Sequence, residues 1–253
     1  MVFEALAYSV ATVVFLMLRR RFGDCIPSLT RWVVVATAVA CAALGSKALF
    51  WLEDPALTWR NLHDPAYLMG GKTIVGALVF GMAGVEIMKR YIGVEQSTGD
   101  LYAIPLALGI AIGRIGCFLT GLSDNTYGVA TSLPWGVDFG DGIRRHPTQL
   151  YEMAFLVLLA PILYGIMKSI RQSAADCSRA RHTWQPGDVF RFFMVAYLSF
   201  RLICDFLKPY PRVFLQLSTL QWACVLCLLY YSRDVWRWLT PLFVRGRYVE
   251  GTG

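Results

Sequence analysis

Apolar stretches long enough to cross a bilayer recur along the chain and are separated by short basic segments. A membrane-spanning helix needs about 20 mostly apolar residues. The candidate spans are 3–18, 32–52, 72–88, 101–121, 148–167, 189–207 and 213–231. This pattern predicts an all-α integral membrane protein with about seven transmembrane helices. Because no repeat or interdomain linker is visible, we interpret 1–253 as a single polytopic membrane domain with an ordered outer loop at about 122–147.

Composition favours a membrane protein over a soluble one. Hydrophobic residues make up 56% of the chain and charged residues 16%, and the mean hydropathy is +0.49. Soluble domains have about 45–50% apolar and about 25% charged residues. The seven cysteines lack a disulfide spacing, and Cys224 and Cys227 are interpreted as packing residues. No metal-ligand cluster is visible, so we expect no metal and no cofactor. Glu4 and the lack of a basic N-terminal segment argue against a cleavable signal peptide.

The distribution of basic residues predicts the orientation in the membrane. One set of loops and the C-terminal tail carry fourteen of them: Arg19, Arg20, Arg21, Arg31, Lys89, Arg90, Lys168, Arg171, Arg179, Arg181, Arg233, Arg237, Arg245 and Arg247. The opposite loops carry five: Arg60, Arg144, Arg145, Lys208 and Arg212. Because basic residues concentrate on the cytoplasmic side, the N-terminus is predicted outside and the C-terminus in the cytoplasm. The net charge of +7 is then a topology signal, and no nucleic-acid partner is expected.

Five further basic residues lie within or at the edge of the predicted spans: Lys47, Lys72, Arg114, Arg191 and Arg201. A charge at the bilayer centre costs at least about 2.5 kcal/mol, so each is a candidate functional residue. Lys47, Lys72 and Arg191 are close enough to span ends for their side chains to reach the interface instead. Arg114 and Arg201 lie deeper.

The sequence around each deep arginine suits the binding of an anion. Arg114 follows Gly109 and Gly113, whose spacing is typical of closely packed helices, and its planar guanidinium can contact a phosphate at two points. Arg201 lies four residues from both Tyr197 and Asp205, so the three share one helical face. The alternative is a local ion pair between Arg201 and Asp205 that only neutralises the two charges.

The loop between the fourth and fifth predicted spans combines turn residues with groups that bind or move protons. These residues are Asp124, Asn125, Tyr127, Gly128, Trp135, His146 and Tyr151. Long loops of this kind are functional or disordered, and the aromatic residues favour an ordered loop. His146 is either a site residue or a structural hydrogen-bonding residue. His63 and His182 are interpreted as ordinary loop residues.

Three separated blocks resemble the signature of the phosphatidylglycerol–prolipoprotein diacylglyceryl transferase family. They are Gly113-Arg114-Ile115-Gly116-Cys117-Phe118-Leu119 followed by Tyr127-Gly128 and Leu133-Pro134-Trp135-Gly136-Val137, then His146-Pro147-Thr148-Gln149-Leu150-Tyr151-Glu152, and then Tyr197, Arg201 and Asp205. The match runs in order from about residue 70 to 225 and agrees with the seven spans and outside N-terminus of the family. Tyr8 is a weaker match to an early tyrosine of the family.

The resemblance implies an enzyme of the bacterial inner membrane that acts at the outer leaflet. It would move a diacylglyceryl group from phosphatidylglycerol to the lipobox cysteine of a prolipoprotein, forming a thioether and releasing glycerol phosphate. The two essential arginines of the family map to Arg114 and Arg201, which would stabilise charge on the leaving phosphate. The thiol must lose its proton, and His146 is the candidate base. The implied substrate-binding residues are Tyr8, Lys72, Asp124, Asn125, Tyr127, Gly128, Gln149, Glu152, Tyr197 and Asp205. A monomer is expected.

The chain departs from the family pattern at several of these positions. The usual His-Gly-Gly before the third span is replaced by 70–76, which has no histidine, and Lys72 is the candidate source of the missing positive charge. Cys117 replaces an asparagine, Asp205 replaces a glutamate, and 121–125 replaces a Gly-Glu-Leu segment. These changes leave open a paralogous transferase with another acceptor or donor. A non-enzymatic lipid binder or flippase is the remaining alternative, since a transporter would predict two related halves.

Overall fold

The computed structural model describes residues 2–175 and 184–249, with side chains described for 2–173 and 184–240. Its α-helices are α1 Val2–Phe22, α2 Ser28–Glu53, α3 Pro55–Arg60, α4 Pro65–Met69, α5 Ile74–Tyr91, α6 Asp100–Thr120, α7 Thr148–Ala175, α8 Asp188–Cys204, α9 Thr219–Tyr230 and α10 Ser232–Val249. Two antiparallel strands, β1 Val137–Asp138 and β2 Arg144–Arg145, pair in the loop before α7. Arg179, Arg181 and His182 lie outside the described residues.

The predicted all-α membrane class is confirmed in its coarse form, because the described chain is mostly helical and has four candidate membrane spans. Four helical segments of the described chain are long and apolar enough to cross a membrane: Val2–Phe22, Ser28–Glu53, Asp100–Asp124 and Thr148–Ser173. The third, sixth and seventh predicted spans overlap α5, α8 and α9. These three helices are shorter or more charged than the four candidate membrane-spanning helices. A 12-residue helix such as α9 is about 18 Å long, less than a bilayer core of about 30 Å.

The last predicted span, 213–231, is helical only from Thr219. Leu215 and Gln216 adopt positive φ angles of 49° and 59°, which end any helical path through this segment. Phe214 and Leu217 form an isolated bridge there. The prediction of a helix over 213–218 is therefore wrong. An apolar segment favours burial or contact with lipid, but it does not by itself determine a helical backbone.

The chain divides into two compact units. The first unit contains Met1–Gly23, Ser97–Tyr197 and Leu228–Gly253, and the second contains Asp24–Gln96 and Leu198–Cys227. α8 therefore contributes its first ten residues to one unit and its last turns to the other. That the chain is one polytopic domain stays a prediction.

In the first unit, α6 packs against both α1 and α7. Small residues make this possible, since a Cβ added at Gly116 would lie only 2.8 Å from the Cβ of Phe3 on α1. Gly109 also lies against α1, with Ala11 at 3.4 Å from such a Cβ. A Cβ added at Gly113, by contrast, would have no heavy atom of a neighbouring element within 4 Å. The close helix packing expected of the Gly109/Gly113 pair therefore occurs only at Gly109.

The second unit is built on the pairing of α2 with α5. Gly45 on α2 and Gly76 on α5 lie so close that a Cβ at either position would overlap atoms of the other helix. Gly84, two turns further along α5, contacts Cys41 in the same way, with 2.5 Å between the added Cβ and the sulfur. Glycines at spaced positions thus let the two backbones approach as they do in membrane helix pairs.

Aspartates fix the start of α8 in the first unit. The carboxylate of Asp100 accepts hydrogen bonds from the backbone nitrogens of Gly187 (2.6 Å) and Phe190 (3.2 Å), which caps the helix. The buried Asp188 pairs with Arg191 at 3.2 Å and also with Arg237. Arg191 is therefore part of an ion cluster, rather than a side chain that only extends to the interface. This anchoring sets the register of the helix that carries Tyr197.

Candidate functional site

A buried carboxylate joins three helices at the centre of the first unit. Glu152 on α7 lies 3.0 Å, through Oε2, from Nε of Arg114 on α6, and its Oε1 accepts a hydrogen bond of 2.6 Å from the hydroxyl of Tyr197 on α8. Glu152 and Tyr197 are fully buried, and Arg114 is 6% exposed. Both carboxylate oxygens are thus engaged, and the guanidinium is oriented by a charge that compensates its own. We call these three residues the Glu152 cluster.

The sequence places Arg114 for this contact by its position on α6. The buried face of the helix includes Ala103, Ala107 and Ala111, each at most 3% exposed, and Arg114 continues this face by one turn. Its Nη1 also lies 3.8 Å from the sulfur of Cys117, the residue that replaces the usual asparagine. The basic side chain therefore points into the protein.

The second unit holds the other deep arginine. Nη2 of Arg201 lies 2.9 Å from Oδ1 of Asp205, and both side chains are at least 96% buried. This is the local pair considered above, but it is not isolated. The Glu53 carboxylate at the end of α2 interacts electrostatically with both members of the pair and with Lys208, which is also buried. Two cations and two carboxylates therefore meet here, and we call them the Arg201 cluster.

The loop before α7 is folded around its own hydrogen bonds. The backbone nitrogen of Gly128 donates to the carbonyl oxygen of His146 at 2.9 Å, and the guanidinium of Arg145 lies 5.1 Å from the ring centroid of Tyr127. Asp124 accepts a hydrogen bond from Thr126, and the exposed Asn125 between them adopts the left-handed conformation that asparagine tolerates. The carbonyl of Thr126 accepts the Thr148 hydroxyl at 2.7 Å, which ties this turn to the start of α7.

The strand pair at the far end of this loop is reinforced by charge. The Arg145 guanidinium donates a 2.7 Å hydrogen bond to Asp141, and this contact lowers the pKa of the Asp141 carboxyl below its usual range. The carboxylate of Asp138 accepts backbone hydrogen bonds from Gly140, Asp141 and Gly142, which closes the turn between the strands.

His146 is connected to two aromatic residues. Its Nδ1 lies 3.2 Å from the Tyr151 hydroxyl, which accepts a 2.8 Å hydrogen bond from Nε1 of Trp135. His146 is half-buried, and Trp135 is exposed. Tyr151 thus fixes the imidazole ring, whichever nitrogen carries the proton. The structure brings His146 into an ordered chain of polar groups in the first unit.

Lys72 lies in the second unit, on a loop that α2 holds in place. The Lys47 ammonium donates to the carbonyl oxygens of Met69, Gly70 and Gly71, the last at 2.9 Å. Thr73 donates two further hydrogen bonds of 3.0 Å to Ser46, from its backbone nitrogen to Oγ and from its hydroxyl to the carbonyl oxygen. The Lys47 side chain, expected to extend towards the interface, therefore binds the segment that precedes the exposed Lys72.

Gln149 and Tyr8 have opposite environments. Gln149 on the first turn of α7 is 1% exposed, and neither of its side-chain polar atoms has a hydrogen-bond partner among the described residues. Tyr8 on α1 is 72% exposed and is not part of the buried Glu152 cluster. The residues predicted from the sequence therefore lie in four places. They are the Glu152 cluster with Gln149 beside it on α7, the Arg201 cluster, the loop before α7, and the two exposed positions Tyr8 and Lys72.

The sequence did not indicate that Glu53 and Lys208 belong to the Arg201 cluster. Nor did it indicate that Lys47 and Ser46 bind the segment around Lys72. Glu53 is the last residue of α2 and is distant in sequence from Arg201, so no spacing rule connects them. The available signal was a single carboxylate directly after an apolar span. Lys208 was counted only as a loop charge, although it is 3% exposed.

Comparison with known proteins gives the same family as the three sequence blocks. A family model described as prolipoprotein diacylglyceryl transferase matches residues 2–235, which confirms the resemblance. A phosphatidylglycerol–prolipoprotein diacylglyceryl transferase of Nitrosomonas europaea is 35% identical over 200 residues, 72% of this chain and 63% of that protein. The protein of the same name from Clostridium tetani is 32% identical over 177 residues, 67% of this chain and 64% of that protein. In Geobacter sulfurreducens the match is 32% over 135 residues and covers 46% of the relative. The chain thus spans about half to two thirds of the length of the curated relatives it matches.

Proposed function

Because the chain belongs to the prolipoprotein diacylglyceryl transferase family, we propose that it transfers a diacylglyceryl group from phosphatidylglycerol to the lipobox cysteine of a prolipoprotein. In this reaction the cysteine sulfur attacks the glyceryl carbon, a carbon–sulfur bond forms and the carbon–oxygen bond to phosphate breaks. Glycerol phosphate leaves as an anion, and the thiol proton passes to a base. The observation that carries the proposal is the buried Arg114, oriented by Glu152 and, through it, by Tyr197.

The two arginines supply positive charge where the leaving phosphate develops negative charge. Arg114 contacts Glu152 through Nε, and its guanidinium binds the leaving phosphate. Arg201 acts from its own cluster, where Asp205 holds it at 2.9 Å. Donors that are already oriented in a buried site need no rearrangement during the reaction, which makes them effective in the transition state. Each arginine is therefore a catalytic residue whose carboxylate partner positions it.

The remaining predicted residues bind the two substrates, with Glu152, Tyr197 and Asp205 acting through the arginines that they position and the others by direct contact. In the first unit these are Tyr8, Asp124, Asn125, Tyr127, Gly128, Gln149, Glu152 and Tyr197, and in the second unit Lys72 and Asp205. Tyr8 and Lys72 are both exposed, and an aromatic hydroxyl and an ammonium group both favour a membrane interface. The two residues are therefore suited to contact the lipid and the peptide substrate there. The protein acts as a monomer.

The decisive test supplies both substrates to the purified protein. Labelled phosphatidylglycerol and a synthetic lipobox peptide are incubated with it in detergent, and the expected products are a diacylglyceryl peptide and glycerol phosphate. A peptide with serine in place of the lipobox cysteine is the control. Turnover of the lipid with another thiol or alcohol, and none with the lipobox peptide, would indicate a different acceptor. Binding without turnover would contradict the enzymatic function.

His146 is proposed as the base that takes the thiol proton. In the tautomer in which Nδ1–H donates to the Tyr151 hydroxyl, Nε2 is the nitrogen that accepts the thiol proton. His146→Gln is then expected to lower kcat by about 10²-fold. The matched control is His63→Gln, at an exposed loop histidine. If folded His146→Gln keeps the wild-type kcat, His146 is structural and the thiol is activated by the field of the cations.

For the topology we propose seven spans, an outside N-terminus, a cytoplasmic C-terminus and a site open to the outer leaflet of the bacterial inner membrane. In a cysteine-free background, Arg60→Cys and Ala130→Cys are expected to react with a membrane-impermeant thiol reagent from outside. Ala175→Cys and Arg245→Cys should react only after the membrane is opened. The basis is the unequal distribution of basic residues between the two sets of loops. Protection of both outer sites in intact cells, with labelling of both inner ones, would reverse the orientation.

A further inference from the structure

Two fully buried glutamines of this protein differ in their hydrogen bonding. Gln221 in the second unit accepts hydrogen bonds from the backbone of Ser218 (2.9 Å) and from Arg212 (2.7 Å), and it donates to the carbonyl of Leu202 (3.0 Å). Neither Oε1 nor Nε2 of Gln149 has such a partner among the described residues, although the side chain is only 1% exposed. The first amide is a structural link, and the second has unused hydrogen-bonding capacity.

An amide of this kind is costly unless something else binds it. A buried donor or acceptor without a partner loses its hydration and gains nothing in return. An apolar residue of the same size would fill the position at lower cost. The two amide atoms, one acceptor and one donor, therefore point to a ligand with a donor and an acceptor of its own.

The position of Gln149 identifies which part of the donor lipid it meets. Gln149 precedes Glu152 by three residues on α7, so the two side chains lie on the same face, about 5–6 Å apart at Cβ. Glu152 holds Arg114, which the proposed function places at the headgroup phosphate. In phosphatidylglycerol the group bonded to that phosphate is a glycerol with two free hydroxyls. Gln149 therefore lies one helical turn from Glu152, the residue that holds the phosphate-binding Arg114, and this placement suits those hydroxyls.

We propose that Gln149 is the residue that selects the phosphatidylglycerol headgroup, with Oε1 accepting a hydrogen bond from one glycerol hydroxyl and Nε2 donating to the other. The proposal rests on the proposed function of this site. Ethanolamine, the headgroup of the main competing phospholipid, ends in an ammonium group that has donors and no acceptor. It would pair with Oε1 and leave Nε2 buried without a partner. A buried donor that the bound headgroup leaves without an acceptor weakens binding, and this is how the site would discriminate against phosphatidylethanolamine.

The test compares donor selectivity in wild type, Gln149→Leu and Gln149→Met. The ratio of kcat/KM for phosphatidylglycerol to that for phosphatidylethanolamine is measured with the same acceptor peptide. We expect the ratio to fall by about 10- to 100-fold in both variants, mainly through slower use of phosphatidylglycerol. An unchanged ratio in a folded variant would overturn the proposal.

Thermal unfolding without lipid provides a second readout and a matched control. Gln149→Leu is expected to leave the unfolding temperature unchanged or raise it, because it removes two polar atoms for which the described residues supply no hydrogen-bond partner. Gln221→Leu should lower it by several degrees, because it breaks three hydrogen bonds. If Gln149→Leu lowers the temperature as much as Gln221→Leu, the amide is a structural link and the proposal fails.

Binding separates failure of this inference from failure of the proposed function. Glycerol 1-phosphate and inorganic phosphate are titrated into wild type and Gln149→Leu. Tighter binding of glycerol phosphate by wild type only, with phosphate bound equally by both proteins, supports the headgroup assignment even if no transferase activity is found. Equal preference in the two proteins would overturn the headgroup assignment, even for an active transferase.

Discussion

Replacing Arg114 by lysine is expected to lower kcat/KM for diacylglyceryl transfer by about 10²- to 10³-fold, while the protein still folds and inserts. Lysine keeps the positive charge, so it can still pair with Glu152. It cannot contact Glu152 through one nitrogen and a phosphate through two others, because the ammonium is a single point of charge. The measurement is kcat and KM with phosphatidylglycerol. The larger change should be in kcat, since the phosphate charge grows in the transition state.

The same substitution at another buried arginine controls for the cost of an altered ion pair. Arg31 is 2% exposed and pairs with Asp24 at the start of α2, and no proposed role in the reaction involves it. Arg31→Lys is expected to lower the unfolding temperature but not kcat of the folded protein. Near-normal kcat in Arg114→Lys would show that positive charge alone is sufficient at that position, and the bidentate phosphate contact would then be rejected.

Arg201→Lys is expected to cause a comparable loss of turnover, but a second variant is needed to interpret it. Arg201 and Asp205 form an i, i+4 pair, so Arg201 could serve only to neutralise Asp205. Replacing both residues together by apolar ones, Arg201→Met with Asp205→Leu, removes the two charges without leaving either buried alone. Such exchanges are often neutral or stabilising, whereas removing one partner costs about 3–5 kcal/mol.

The double variant therefore separates the two interpretations of Arg201. We expect it to purify as a folded protein with an unfolding temperature close to wild type, and to show no transfer above the background of the assay. Both quantities are measured on the same preparation. Recovery of transferase activity in the double variant, relative to Arg201→Lys, would show that the pair is structural and that Arg201 does not act on the phosphate.

The sequence by itself determined those features that depend on local pattern. Long apolar segments must satisfy their backbone hydrogen bonds internally, so they form helices, and four of them are long and apolar enough to span a membrane. Charges within such segments are costly, which singled out Arg114 and Arg201. The spacing of Arg201 and Asp205 predicted their contact, because residues four apart meet on a helix.

The tertiary structure decided which distant groups meet. Tyr197 was grouped with Arg201 by its spacing, yet its hydroxyl bonds Glu152, a residue 45 positions away on another helix. Lys47 donates to three carbonyl oxygens of the segment before Lys72. Within the described part of the chain, the Gln149 amide has no hydrogen-bond partner, whereas the Gln221 amide makes three hydrogen bonds. Helical spacing gives the face of a single helix. The partners on that face are set by the packing and rotation of neighbouring helices, which arise from contacts far apart in the chain.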